Sequence, residues 1–206
     1  MAVPVAYDLD VQSFVVHDLL PPEDFAQLVI EKDKFINTGD GAITIEKDGS
    51  ITKNTDVSAN GIFGGAFFNF TGDIERYREF LPPKLMDAIY ATKKILVDRG
   101  LKNPDPTSVR CYRNNKTITW HTHTPVRPMP NNKFWMTLYY LHPNWDVKYK
   151  GDLHVSWLDT APTSRIVPCT SNTVVGHVGY FGHQVKELIK GYEGNRDLLT
   201  ILWECE

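Results

Sequence analysis

The chain has 206 residues, of which 42% are hydrophobic and 23% charged, the balance of a globular protein with a real core rather than a disordered or fibrous chain. A net charge of -3 without a basic block gives no nucleic-acid footprint. No apolar run reaches membrane-spanning length, and Met1-Ala2-Val3-Pro4 lacks a charged, apolar leader, so a soluble cytoplasmic protein without membrane association is expected.

In chain order, Phe14 to Leu20 reads as a short strand. Pro21-Pro22-Glu23-Asp24 then combines prolines and acids suited to a helix start, and Phe25, Leu28, Val29 and Ile30 continue with helical spacing towards Lys34. From 37 to 70, turn signals such as Thr38-Gly39-Asp40-Gly41 and Lys47-Asp48-Gly49-Ser50 separate short β-prone pieces, Ile43-Thr44-Ile45 among them. Gly61 to Phe70, rich in Gly and Phe, reads as a packed loop, with a lid as the alternative. Helix is expected again over Asp73 to Phe80 and from Pro82-Pro83 to about Gly100. In the second of these, Leu85, Ile89, Thr92, Ile95 and Leu96 form one stripe and Gly100 supplies the stop.

After Pro104-Asp105-Pro106 the pattern changes to strands: Ser108 to Tyr112, Phe134 to Leu141, Leu153 to Trp157, Asn172 to Val178, Gln184 to Leu188 and Leu198 to Trp203. This predicts an α+β domain spanning 1–206, with helical and loop support over 1–106 and a β core over 107–206. Strands so spaced suggest a barrel or double sheet with helices packed outside. Cys111, Cys169 and Cys205 are odd in number, far apart and without a C-x-x-C pair, which predicts free thiols.

The chemistry concentrates in histidines. Trp120-His121-Thr122-His123-Thr124 places two imidazoles at i and i+2, which a strand points to one side, and His183 follows in a later strand. Three imidazoles meeting at one point suit Fe, Zn, Cu or Ni, and the choice among them rests on geometry and open positions.

Tyr112, Trp120-His121-Thr122-His123-Thr124, Thr137-Leu138-Tyr139-Tyr140-Leu141, Lys150-Gly151-Asp152-Leu153, His183-Gln184-Val185, Arg196 and Trp203 occur in a telling order. The series resembles the prolyl-4-hydroxylase-like branch of the Fe(II)/2-oxoglutarate-dependent oxygenases. That pattern is a Tyr strand, His-x-Asp, Tyr-Leu-Asn, Gly-Gly-Glu-Leu, a distal His and a Lys or Arg. The resemblance covers 108 to 205 well and 14 to 35 loosely, and 37 to 80 matches nothing. It implies a double-stranded β-helix (jelly roll) core with the N-terminal helices packed outside. It also implies Fe(II) and 2-oxoglutarate as cofactors, O2 as co-substrate, and an unassigned small molecule or peptide as substrate. Oxidative decarboxylation to succinate and CO2 would be coupled to hydroxylation, with no catalytic group beyond the metal ligands.

On the same resemblance, His121 and His183 match the two metal histidines. Arg196 matches the cation for the distal carboxylate of 2-oxoglutarate, Tyr140 a hydroxyl donor to it, and Tyr112 an aromatic of the pocket wall. Trp135, Tyr139 and Phe181 are candidates for the apolar lining, Trp120 and Trp203 for barrel support, and His177 for a wall residue. His154 is expected to pack or face solvent. Gly61 to Phe70 and Pro125 to Asn132, the latter with Arg127, are segments that could close over substrate.

The chain departs from the pattern at His123, which stands where the family has an aspartate, and at Leu198, where many relatives carry a Ser. Three readings of His123 stay open: a third ligand, a side chain that swings away, and a mark of an altered catalyst. A three-histidine dioxygenase that needs no 2-oxoglutarate, and a non-catalytic jelly-roll module holding Zn or Ni, remain beside the oxygenase.

Overall fold

The computed structural model describes residues 6–10, 12–37, 42–54, 62–68, 74–125, 128–156, 165–188 and 195–206. Thirteen strands and two long helices occur among them. The N-terminal part contributes β1 (Ala6–Asp10), β2 (Ser13–His17), helix α1 (Pro22–Ile36), β3 (Ala42–Ile45), β4 (Ile51–Asn54), β5 (Ile62–Phe68) and helix α2 (Pro83–Asp98). The remainder supplies β6 (Asp105–Asn114), β7 (Ile118–His121), β8 (Phe134–Tyr140), β9 (Leu153–Ser156), β10 (Arg165–Val167), β11 (Thr173–Val178), β12 (Gly182–Val185) and β13 (Asp197–Glu204).

From β6 onward the chain passes back and forth between two sheets, with the consecutive β9 and β10 both in the smaller one. One runs β1-β2-β11-β8-β13-β6-β5-β3-β4, the other β10-β9-β12-β7. Strands β6, β8, β11 and β13 fall in the large sheet, and β7, β9, β10 and β12 in the small one. This alternation of antiparallel strands between facing sheets is the double-stranded β-helix expected from the sequence.

Side-chain alternation gives the large sheet two working faces. On β8, Met136, Leu138 and Tyr140 turn towards the small sheet. Trp135 and Tyr139 turn to the outer face, where Tyr139 meets Phe25 of α1 at 6.3 Å and Trp135 stacks on Phe14 at 5.9 Å between ring centroids. Trp203 lies on that outer face, fully buried, its Nε1 donating to Thr137 Oγ1 at 2.8 Å. Trp203 therefore supports the barrel, whereas Trp135 and Tyr139 are corrected from pocket lining to packing on the outer face, against Phe14 of β2 and Phe25 of α1.

Both helices begin on prolines, as their sequence predicts. Pro21 and Pro82 occupy the N-cap positions, and Glu23 and Asp24 sit in the first turn of α1 near its positive end. Helix α2 buries Leu85, Met86, Ala88, Ile89, Thr92 and Leu96. It stops at Gly100, whose φ of 85° suits glycine, with Leu101 N–H donating to Leu96 O at 3.1 Å and Gly100 N–H to Val97 O at 2.8 Å. That pair of bonds is a Schellman motif. Asp73 to Phe80 differs from expectation: Ile74–Glu79 is a 3-10 helix.

The N-terminal part is also less helical than its sequence suggests. Gly61 to Phe70 contains β5, which pairs with β6 on one side and, in parallel, with β3 on the other. Phe67 and Phe68 are buried there, so the segment packs as a strand of the large sheet. The flanking residues 61, 69 and 70 lie outside the described residues. β1 and β4 were not anticipated. All three cysteines are free and buried. Among the described residues no helix is long and apolar enough to cross a membrane.

Candidate metal centre and cavity

His121 is the last residue of β7, and His183 lies directly opposite it in the register of β12. His123 departs from the simple strand expectation, because β7 has ended two residues earlier. What fixes it instead is its backbone N–H, which donates to Gly179 O at 3.3 Å in the turn between β11 and β12. The three imidazoles still converge, with candidate ligand nitrogens all within 4.8 Å of one another. Ring centroids stand 5.0 Å apart for His121 and His123, 4.2 Å for His121 and His183, and 5.1 Å for His123 and His183.

The hydrogen bonds around the rings fix which nitrogens remain. His121 Nδ1 is 2.8 Å from Thr119 O and His183 Nδ1 is 3.2 Å from Phe181 O. A carbonyl only accepts, so each Nδ1 carries the proton and each Nε2 keeps its lone pair for another partner. His183 Nε2 and His123 Nε2 are buried and have no hydrogen-bond partner. Burial, with the neighbouring His177, His121 and His123, pushes the His183 imidazole well below its ordinary pKa. Burial, then His121, Arg110 and His177, lowers His123 to about 3. Neutral rings with lone pairs aimed at one point are what a divalent metal ion requires. This donor set fits such an ion, and the orphaned nitrogens are costly without one.

His177 is buried on the cavity side of β11, opposite Met136, and its ring centroid is 5.0 Å from that of His183. It stands outside the converging trio, stacked on Phe181 at 6.2 Å. His154 is half-buried on β9, paired with Gln184 of β12.

Beside the histidines opens a cavity of about 280 Å³ lined by Ile62, Phe67, Arg110, Tyr112, Ile118, Thr119, His121, His123, Met136, Leu138, His183, Val185 and Thr200. Tyr112 is therefore a wall residue, and Thr200 Oγ1 lies 3.4 Å from its hydroxyl. Phe181 is absent from the lining. Ile62, Phe67, Met136 and Leu138 supply the apolar surface in place of the aromatics expected. Arg127 lies outside the described residues.

Arg196 is fully buried at the far end of this interior. Its Nη1 donates to Gly151 O at 3.1 Å and Lys186 O at 2.6 Å, and its Nη2 to Lys116 O at 2.8 Å and to Asn114 Oδ1. Only Nε, also buried, is left without a partner. The Gly151 position of the Gly-Asp-Leu segment is required by this arrangement. Its φ is 83°, and a Cβ there would meet Arg196 Nη1 at 3.1 Å and Leu188 at 2.8 Å. Tyr140 Oη is the second orphan of this end, buried without a partner, its pKa raised by burial and then by Cys169. Tyr140 and Arg196 are near enough to shift one another electrostatically. Neither lines the cavity that holds the histidines.

The sequence reading missed Arg110 and Thr200. The signal was present in strand parity, since Arg110 is two residues before Tyr112 on β6 and shares its face. Thr200 is paired directly with Arg110 across β13.

No protein-family model matches the sequence, and neither does any curated protein. Solved structures match its fold. A Pseudomonas putida prolyl-4-hydroxylase superposes with a TM-score of 0.57 at 13% identity over 95% of this chain and 92% of that one. A Trichoplax adhaerens prolyl hydroxylase, solved with a hypoxia inducible factor peptide, gives 0.57 at 15% identity over 95% and 84%. HygX from Streptomyces hygroscopicus, solved with nickel and 2-oxoglutarate bound, gives 0.56 at 11% identity over 94% and 82%. The chain thus has the jelly-roll fold of the 2-oxoglutarate/Fe(II) oxygenases, with three histidines gathered where a metal can sit.

Proposed function

We propose that the chain is an Fe(II)- and 2-oxoglutarate-dependent oxygenase, hydroxylating its substrate from a three-histidine centre. The observation that carries this reading is the set of orphaned imidazole nitrogens, His123 Nε2 and His183 Nε2, facing His121 at the edge of a cavity inside this fold. His121, His123 and His183 would hold the metal. Tyr140 Oη and Arg196 Nε, the two orphaned donors of the opposite end, would receive the distal carboxylate of 2-oxoglutarate. When bound, Fe(II) with 2-oxoglutarate and O2 supplies the oxidising power to insert oxygen into an unactivated C–H bond, leaving succinate and CO2.

The chain's own residues have definite shares in this. Thr119 O and Phe181 O orient the His121 and His183 rings through Nδ1. Gly179 O holds the backbone that carries His123. Ile62, Phe67, Met136 and Leu138 keep water from the reacting carbon. A third neutral imidazole in place of a carboxylate leaves the centre one unit more positive, which favours anionic ligands around it.

Anaerobic titration of Fe(II) with and without 2-oxoglutarate tests the reading. A visible charge-transfer band that needs both, and succinate formed on admitting air, are the expected results. No band and no succinate would sink it. A second reading has one observation in its favour: four of the Arg196 N–H groups are taken by Asn114 and by backbone carbonyls. A three-histidine dioxygenase independent of 2-oxoglutarate would consume O2 with Fe(II) alone.

A further inference from the structure

We propose that Arg110 is the substrate-recognising cation of this cavity, and that the substrate carries a carboxylate on an apolar body. This rests on the oxygenase reading for calling the ligand a substrate, though the anion site itself does not depend on it.

Arg110 projects from β6 into the cavity wall, with its guanidinium carbon 5.3 Å from the Phe67 ring centroid. Its Nε is buried and has no hydrogen-bond partner, and among the described residues no carboxylate pairs with the group. Two other arginines, Arg113 on the outer face of the sheet and the buried Arg196, are treated differently. Arg113 is clasped by Asp197 and Asp33, and Arg196 by carbonyls and Asn114. Among the described residues no Asp or Glu lines the cavity. A guanidinium held on an aromatic face beside a void, with no counter-ion of its own, is matched by a ligand anion, and its planar fork selects a carboxylate. Thr200 Oγ1 and the Tyr112 hydroxyl stand on the same wall and add neutral donors. Ile62, Phe67, Met136 and Leu138 complete an apolar enclosure for the rest of the molecule.

Arg110 is not placed to serve the same carboxylate as Arg196. It pairs with Thr200 in the β6–β13 register, four positions along from Arg196, or roughly 14 Å at the usual rise of a strand. Arg110 lines the cavity together with the histidines, whereas Tyr140 and Arg196 do not.

Calorimetric titration of the full chain with hexanoate and with hexanamide, alone and with saturating Fe(II) and 2-oxoglutarate under anaerobic conditions, tests the assignment. Hexanoate is expected to bind about tenfold or more tightly than the amide, the difference of one charge-assisted pair. Saturating 2-oxoglutarate should not displace it. R110Q should weaken hexanoate about tenfold and R110K less, while the affinity for 2-oxoglutarate, read from the charge-transfer band, stays within about twofold.

Equal binding of hexanoate and hexanamide, or no binding of either, overturns the proposal. So does displacement of hexanoate by 2-oxoglutarate together with a tenfold loss of 2-oxoglutarate affinity in R110Q, which would make Arg110 the co-substrate anchor. Should R110Q unfold, as judged by circular dichroism, the acid–amide and displacement arms on the wild-type protein decide the matter alone. Arg110-dependent hexanoate binding without any 2-oxoglutarate band would remove the oxygenase reading and leave the anion site standing.

Discussion

The two faces of the large sheet handle buried polarity in opposite ways. Between its outer face and α1, Asp197 accepts from Lys32 and from Arg113 Nε at 2.8 Å, and Asp33 accepts from Lys32 and Arg113 at 2.9 Å each. Every charge in that group has an opposite charge against it, and the group ties the helix to β6 and β13. On the inner face, His123 Nε2, His183 Nε2, Tyr140 Oη and the Nε atoms of Arg110 and Arg196 are buried without partners. A folded chain retains orphaned polar atoms at a cost of about 1–3 kcal/mol each, and those gathered on this face stand where ligands would complete the structure. The matched charges tie the helix to the sheet, and these unmatched groups share the face that carries the candidate site.

The largest effect should come from the inner face. His183→Ala removes one of the three proposed ligands, whose Nδ1 is oriented by Phe181 O. Fe(II) affinity should fall by roughly 100-fold or more, beyond what loss of a supporting contact costs. Metal titration by equilibrium dialysis measures this, and unfolding by urea should show little loss of stability. Binding unchanged within a few-fold would remove His183 from the centre.

Asp197→Ala reverses that pattern. It strands Lys32 and Arg113 beneath α1, where the Lys32 and Asp197 side chains are each only 2% exposed. Removing one partner of a buried charge group costs about 3–5 kcal/mol. Urea denaturation should show the loss, while Fe(II) affinity of the remaining folded protein is unchanged. A variant that kept its stability but lost metal binding would collapse the contrast between the faces.

Acid should separate the groups further. His142 is buried beside Cys169 and Trp145, and burial lowers its pKa from 6.5 to about 4. The unfolded chain takes up this proton below pH 6.5 while the folded chain resists it. The stability His142 brings is complete above pH 6.5 and is lost as pH falls towards 4, amounting to about 3 kcal/mol. His142→Phe should flatten that part of the stability profile. Burial works to raise the Asp197 pKa, but the Arg113 hydrogen bond and the Lys32 charge outweigh it and hold it below its usual value. Its contribution, full above the ordinary carboxylate range, disappears at still lower pH. Loss of stability above pH 6.5 instead would contradict both assignments.

The sequence made the β core legible because its strands alternate cleanly and its turn residues separate them. His121, His123, His183 and Tyr112, picked out by residue type in a known order, meet at one cavity, whereas Arg196, picked the same way, is buried and outside its lining. What the order could not supply was facing. Trp135 and Tyr139 look like pocket aromatics until strand parity puts them on the outer face, Tyr139 against Phe25 of α1 and Trp135 against Phe14 of β2. Arg110 looks like any strand cation until the register sets it against Thr200 and over Phe67. The glycines and phenylalanines of β5 read as a loop because Gly weakens strand patterns locally, and only pairing with β6 overrides that. His123 was legible as a residue and not as a geometry, since its position depends on Gly179 in a remote turn.

The smallest effect is also the most discriminating. Tyr140→Phe deletes one hydroxyl that has no partner in the protein. If Tyr140 were only a packing residue, the change would leave stability and ligand binding alike untouched, or raise stability slightly by removing a desolvated polar atom. If its hydroxyl receives the distal carboxylate of 2-oxoglutarate, affinity for that ligand should fall about tenfold, the worth of one hydrogen bond to a charged group. Affinity for Fe(II) should stay as it was, because Tyr140 stands apart from the cavity that the histidines line. The charge-transfer band read against 2-oxoglutarate concentration, at fixed Fe(II), separates these outcomes. An unchanged 2-oxoglutarate affinity would show that an orphaned donor on the inner face can be left over from packing, and the rule that unmatched groups mark ligand contacts would then hold only for the imidazoles.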